Sequence, residues 1–124
     1  EYIGVLQIPS LNLELPVIGS LSYSNLKIAP CRYEGSAYKD DLIIAAHNYV
    51  SFFGNLSKLQ VGAPVIFMDV DGNIFVYEVA ETEVLQAAAV EEMRSGEWDL
   101  TLFTCTLSGQ SRTTIRCVRT GYDS

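Results

Sequence analysis

Three residues of this chain could together carry nucleophilic chemistry. Cys105 closes the apolar, β-branched run "TLFTC" (101–105), and the only histidine, His47, closes another in "IIAAHNY" (43–49). Arg112 opens a third stretch after a short polar loop, "TLSGQS" (106–111). Acyl chemistry at a cysteine needs a thiolate, a neighbouring group to give and take a proton, and something positive to hold an oxyanion. Each residue alone has a bland reading. A lone cysteine on an apolar strand is ordinarily core, a lone histidine an ordinary polar residue, and an arginine on a strand a solvated face. Their shared placement changes that reading, because all three stand at strand ends. Strand ends meet at the mouth of a barrel, where side chains from different strands converge.

Strand signals dominate the elements that must do the positioning. "YIGVLQI" alternates apolar with small or polar residues, and "LELPVI" follows after the turn "PSLN". "LSYSNLKIA" holds at most one helical turn before Pro30, whose predecessor is biased toward extended geometry. "DDLIIAAH" is a continuous apolar run bounded by charge and Asn48, which predicts a buried strand. "FFGNLSKLQVG" suits a short helix or turn with Asn55 as N-cap. "APVIFMDVDGNIFVYEVAE" has two β-rich runs flanking Asp71-Gly72, a favoured hairpin pair. The stretch 87–96, "AAAVEEMRSG", reads as a helix with Gly96 as C-cap. "WDLTLFTC" and "SRTTIRCVRT" are the last two strands, and Trp98 at a strand entrance is packing. Many short strands with one or two small helices predict a mostly β fold, a closed β-barrel of about eight strands.

Composition bounds the partners. The 124 residues suffice for a single domain over 1–124, and 48% apolar content with 19% charge is globular rather than disordered. A net charge of −7 repels phosphate backbones, and the eight Lys and Arg form no stripe, so nucleic acid is not an expected partner. No apolar run reaches the roughly 18 residues of a membrane helix. No stretch at the start resembles a signal peptide, and the chain reads as an excised part of a longer protein. Three cysteines without a C-x-x-C pair, beside one histidine, make a poor zinc set, and no metal site is expected. Cys31 and Cys117 read as small apolar filler, with a disulfide between them as the lesser alternative. Glu81, Glu83, Glu91 and Glu92 lack a spaced D-x-D-x-D-G set; they read as a solvated surface, with calcium the lesser reading and no cofactor expected.

"TLFTC" resembles the T-L-x-T-C signature of the sortases, the cysteine transpeptidases of Gram-positive cell surfaces. The resemblance runs through the chain in order. "IGVLQIPSLNLELPVI" is similar to the family's opening strand pair, and "LKIAPCRYEGS" to the segment before its histidine strand. "LIIAAHNY" is similar to the histidine site, "FGNLSKLQVGAPV" to the F-x-x-L-x-x-[LV]-x-x-G-x-x-[VI] stretch, and "SRTTIRCVR" to the arginine strand. The match covers Ile3 to about Arg119. It implies that Cys105 attacks the Thr–Gly carbonyl of an LPxTG-like sorting signal and forms a thioester. His47 would protonate the leaving amine and then take a proton from the incoming one. An arginine would donate to the substrate and the oxyanion. Thr104 would help bind substrate through its backbone N–H and its hydroxyl.

The family pattern places apolar residues at +1 and +3 from the arginine and a small one at +5. From Arg112 these are Thr113, Ile115 and Cys117; from Arg116 they are Cys117, Arg119 and Gly121. A charge at +3 would sit on the core side, so Arg112 is the expected catalytic arginine. Arg116, on the same face by period two, is held in reserve for substrate binding. The "TC-T-x-S-G-x-x-R" spacing and "AAHN" lean toward class B or D. The stretch 84–97 is short for the groove wall it forms in sortases, and no N-terminal lid of the class C kind is seen.

The resemblance further implies a monomer on the outer face of a Gram-positive membrane, anchored by a segment absent from this chain. The acceptor would be a cell-wall amine. A pilin-polymerising enzyme using a pilin lysine, a peptidase hydrolysing its thioester, and a silent sorting-peptide-binding domain are the alternatives. The complete Cys, His and Arg set speaks against the silent domain, since a retired site is free to lose any of them. Independent titration of thiol and imidazole near their reference values predicts slow turnover, fastest on the alkaline side of neutrality.

Overall fold

The fold is read from a computed structural model, which describes residues 1–47, 49, 51–86, 92–93, 98–105 and 111–120, with residue 105 described by its main chain. Eight strands form a closed barrel: β1 (Tyr2–Ile8), β2 (Leu13–Ile18), β3 (Cys31–Glu34), β4 (Leu42–His47), β5 (Pro64–Asp69), β6 (Ile74–Gln86), β7 (Leu100–Cys105) and β8 (Ser111–Arg119). Their order around the barrel is β1-β2-β3-β4-β7-β8-β6-β5, closed by antiparallel pairing of β5 with β1. Gly4 sits in that closing seam. A Cβ there would lie 2.7 Å from Phe67 Cζ and against the carbonyl of Met68, so only glycine lets β5 come this close.

The apolar run of β4 is explained by burial on both faces. Leu42, Ile44 and Ala46 belong to the main core inside the barrel, with Leu100 and Leu102 of β7 and Ile115 and Cys117 of β8. Ile43 and Ala45 alternate to the outer face. There they join Phe103 and Met93 in a separate cluster, with Tyr33 and Leu85 packed against it. The barrel wall at β4 and β7 is therefore covered outside as well as filled inside.

Several local expectations are refined. Tyr23–Leu26 forms the single helical turn, α1, capped by the Ser22 hydroxyl accepting from the Asn25 amide at 3.0 Å. Leu56–Lys58 is a 3-10 turn with Asn55 in the N-cap position, where its side chain makes no capping bond. The β5–β6 hairpin forms where Asp71-Gly72 predicts it, but with a wider loop than that pair alone would close. Asp69 and Asn73 are its last paired residues, the Asp69 N–H donating to the Asn73 carbonyl at 3.0 Å. The Asp69 carboxylate also accepts from the amides of Asp71 and Asn73, and Gly72 takes a positive φ of 88°. Of the helix expected over 87–96, Glu92 and Met93 are helical; the others, Gly96 included, lie outside the described residues.

Cys31 and Cys117 are fully buried in different clusters and form no disulfide with each other, so that alternative is not realised. The Cys31 thiol donates to the Ala29 carbonyl at 3.4 Å. Burial pushes the Cys117 thiol up to about 12. Both act as small apolar residues.

Candidate active site

β4 and β7 run parallel, and their register ends with His47 beside Cys105. Adjacent strands lie about 4.8 Å apart, so the two positions are nearest neighbours across the ladder. β6 ends at the same end of the wall as β4, Gln86 pairing with Ser111, so the chain crosses back before β7 begins and β7 runs parallel to β4. His47 continues the outer-face series Ile43, Ala45, and position 105 the series Thr101, Phe103. The site thus stands at the ends of two strands, as expected, but on the outer face of the wall rather than inside a barrel mouth. The inward face is already filled by aliphatic core.

His47 is buried, and the ring of Tyr49 lies on it with centroids 4.8 Å apart at 35°. Phe52 extends the stack from Tyr49 at 5.7 Å. The loop beyond the histidine is tied back to it, since the Phe53 amide donates to the His47 carbonyl at 3.1 Å and the Phe53 side chain is fully buried. The imidazole is held by strand pairing on one side and by aromatic contact on the other.

Arg112 reaches the site from β8. The β7–β8 ladder runs from Leu100↔Cys117 to Phe103↔Thr114, and Arg112 lies two residues before Thr114, beyond the last pair. The Arg112 guanidinium lies over the Phe103 ring, 5.1 Å from its centroid. Phe103 is fixed in turn by an edge-to-face contact with Tyr33, 5.3 Å between centroids at 87°. A half-buried cation is thereby parked two residues before the thiol position. Thr104, almost fully buried, accepts a hydrogen bond on Oγ1 from the Thr113 amide at 3.0 Å. A side chain replaces a carbonyl in the ladder just where β7 reaches Cys105.

Arg116 is placed elsewhere. It stands in register with Thr101, is 2% exposed, and forms an ion pair with Glu83 at 2.7 Å. Sequence reasoning put it on the same face as Arg112, which is so, but carried no signal for its partners. Tyr49 and Phe103 were likewise not singled out from sequence, because an aromatic beside an apolar run reads as core. Of the four glutamates weighed for calcium, Glu83 is the counter-ion of Arg116, Glu81 lies on β6, and Glu91 is outside the described residues. No group of three or more metal-ligating side chains occurs among the described residues. Nor is any helix among them long and apolar enough to cross a membrane.

Comparison with known proteins agrees with this geometry. The sortase domain model matches residues 6–121. No curated protein matches the sequence significantly. Among solved structures, sortase C1 of GBS pilus island 1 is 25% identical with a TM-score of 0.84 over 98% of this chain and 66% of its own. Sortase C1 from Streptococcus suis is 25% identical with a TM-score of 0.81, over 98% and 74%. Sortase C-3 from Streptococcus pneumoniae is 24% identical with a TM-score of 0.81, over 97% and 63%. The chain thus spans about two-thirds of the length of these structures. All three are sortases C, whereas the motif spacings lean toward classes B and D. With the family model spanning nearly the entire chain and the histidine and cysteine strands in register, the chain belongs to the sortase family.

Proposed function

We propose that this domain is a cysteine transpeptidase acting on an LPxTG-like sorting signal. The Cys105 thiolate attacks the Thr–Gly carbonyl carbon and forms a tetrahedral oxyanion. The C–N bond then breaks as His47 delivers its proton to the leaving glycine amine, and a thioester remains. An acceptor amine attacks the thioester, loses its proton to His47 and expels the thiolate. Arg112 donates N–H groups to the oxyanion, and Thr104 binds substrate from the position before the nucleophile. The register that sets His47 beside Cys105 carries this reading.

The acceptor has two candidates. A peptidoglycan amine would anchor the substrate to the cell wall. A pilin lysine would polymerise pilins, and the likeness to sortase C1 of a pilus island supports it. Either places the domain on the outer face of a Gram-positive membrane, held by a segment of its parent protein. The test is intact-protein mass spectrometry with LPxTG-like peptides, beside the Cys105→Ala variant. An adduct on Cys105 that glycine peptides discharge supports wall anchoring; one discharged only by a lysine-bearing peptide supports polymerisation. No adduct with any peptide, from a reactive thiol, would leave a binding domain.

A further inference from the structure

An arginine on an exposed strand face is ordinarily solvated, yet Arg116 is 2% exposed and every nitrogen of its guanidinium is engaged. Nε donates to Glu83 Oε2 at 2.7 Å on β6. One terminal nitrogen donates to Thr101 Oγ1 at 3.1 Å on β7 and to the Met93 carbonyl at 2.9 Å. The other donates to the Glu92 carbonyl at 2.6 Å. The planar fork therefore joins two strands to a segment more than twenty residues away in sequence. Its acceptors there are main-chain oxygens, so it fixes backbone rather than particular side chains.

The segment it fixes has a consequence at the site. Met93 is 3% exposed and shares the outer cluster with Phe103, Ile43 and Ala45. Phe103 is the ring on which the Arg112 guanidinium rests. Thr101, Phe103 and Cys105 follow one another on the same face of β7. Arg116 is thus two alternate positions from the nucleophile along that face, with Phe103 between.

We propose that Arg116 is a positioning residue: it pins residues 92 and 93 over β7, so that Met93 holds the Phe103 ring in place beneath Arg112. This rests on the assignment of Arg112 to the oxyanion. A lysine cannot replace it, because one point-like ammonium cannot span Glu83 and two carbonyls in a plane.

The test compares Arg116→Lys with the parent domain by the NMR shifts of the Arg112 side-chain protons, which the Phe103 ring current displaces, and by kinetics with a thioester-forming peptide. Glu83→Gln loosens the same clamp from its other end and serves where Arg116→Lys fails to fold. Expected are Arg112 resonances moving toward random-coil values, and kcat falling about tenfold or more with KM held within about threefold. Unmoved Arg112 resonances in a folded variant overturn the proposal. So does a rise in KM at constant kcat, which would mean direct peptide contact. A parent domain that forms no thioester sinks the transpeptidase reading instead, and the resonance comparison still decides the clamp.

Discussion

At the scale of single residues, the three arginines of β8 show how context divides identical side chains. Arg119 pairs with Asp40 at 2.8 Å, Arg116 is buried with Glu83 as its counter-ion, and Arg112 is half-buried against the Phe103 ring of β7. Arg112→Lys keeps the charge but loses the flat stacking surface and the fork. It is expected to lower kcat about 10²-fold with the melting temperature nearly unchanged, as steady-state kinetics and calorimetry would show. His47→Ala is expected to cost about 10²- to 10⁴-fold in kcat, since it removes the proposed proton relay. Thiol reactivity provides a second check. Cys31 and Cys117 are fully buried and the Cys117 thiol is held protonated, so a maleimide should label one thiol, Cys105, in the native domain. All three should label in denaturant, as counted by intact mass.

At the scale of elements, the end of β7 depends on Thr104. The Thr113 amide finds its acceptor in the Thr104 hydroxyl, and without it a donor at the edge of the core is left unpaired. Thr104→Val keeps shape and removes that acceptor. The expected loss is about 1–3 kcal/mol of unfolding free energy in urea, with activity falling further than stability because β7 ends on the proposed nucleophile. Thr104→Ser should recover most of both. Much of this level was legible in sequence: the unbroken apolar run of β4 announced burial on both faces, and Asp71-Gly72 announced the hairpin. The wider loop was not, because it follows from the Asp69 carboxylate capturing two amides, a choice that competes with the tighter turn.

At the scale of the whole molecule, the barrel interior stores two acidic groups in neutral form. Tyr77 is fully buried, its hydroxyl has no hydrogen-bond partner among the described residues, and burial pushes its phenol above the ordinary range against the pull of Arg119. Cys117 rises from 9.0 to about 12 for the same reason. In the unfolded chain both ionise earlier, so the folded state binds more protons above pH 9 and stability falls as pH rises through the unfolded values. Cys117 alone should remove about 2 kcal/mol between neutrality and about pH 10.5, and Cys117→Ala should flatten that part of the profile. Urea titrations under reductant at the two pH values measure it; equal slopes in the two proteins would contradict it. Tyr77→Phe should leave neutral-pH stability unchanged or higher, since it deletes an unpartnered hydroxyl.

What the sequence determined by itself was the set of candidate reactive residue types and the strands that carry them. These rest on apolar runs and the period of two along a strand, whereas the preference for Arg112 over Arg116 rests on the family pattern of residues that follow the arginine. The tertiary structure decided that β4 and β7 pair in parallel with His47 against Cys105, and that Arg116 is a buried clamp while Arg112 rests on Phe103. Alternation is a local property of the chain. Register and burial are set by which distant strand packs alongside, and that is fixed only when the barrel closes and its core is filled.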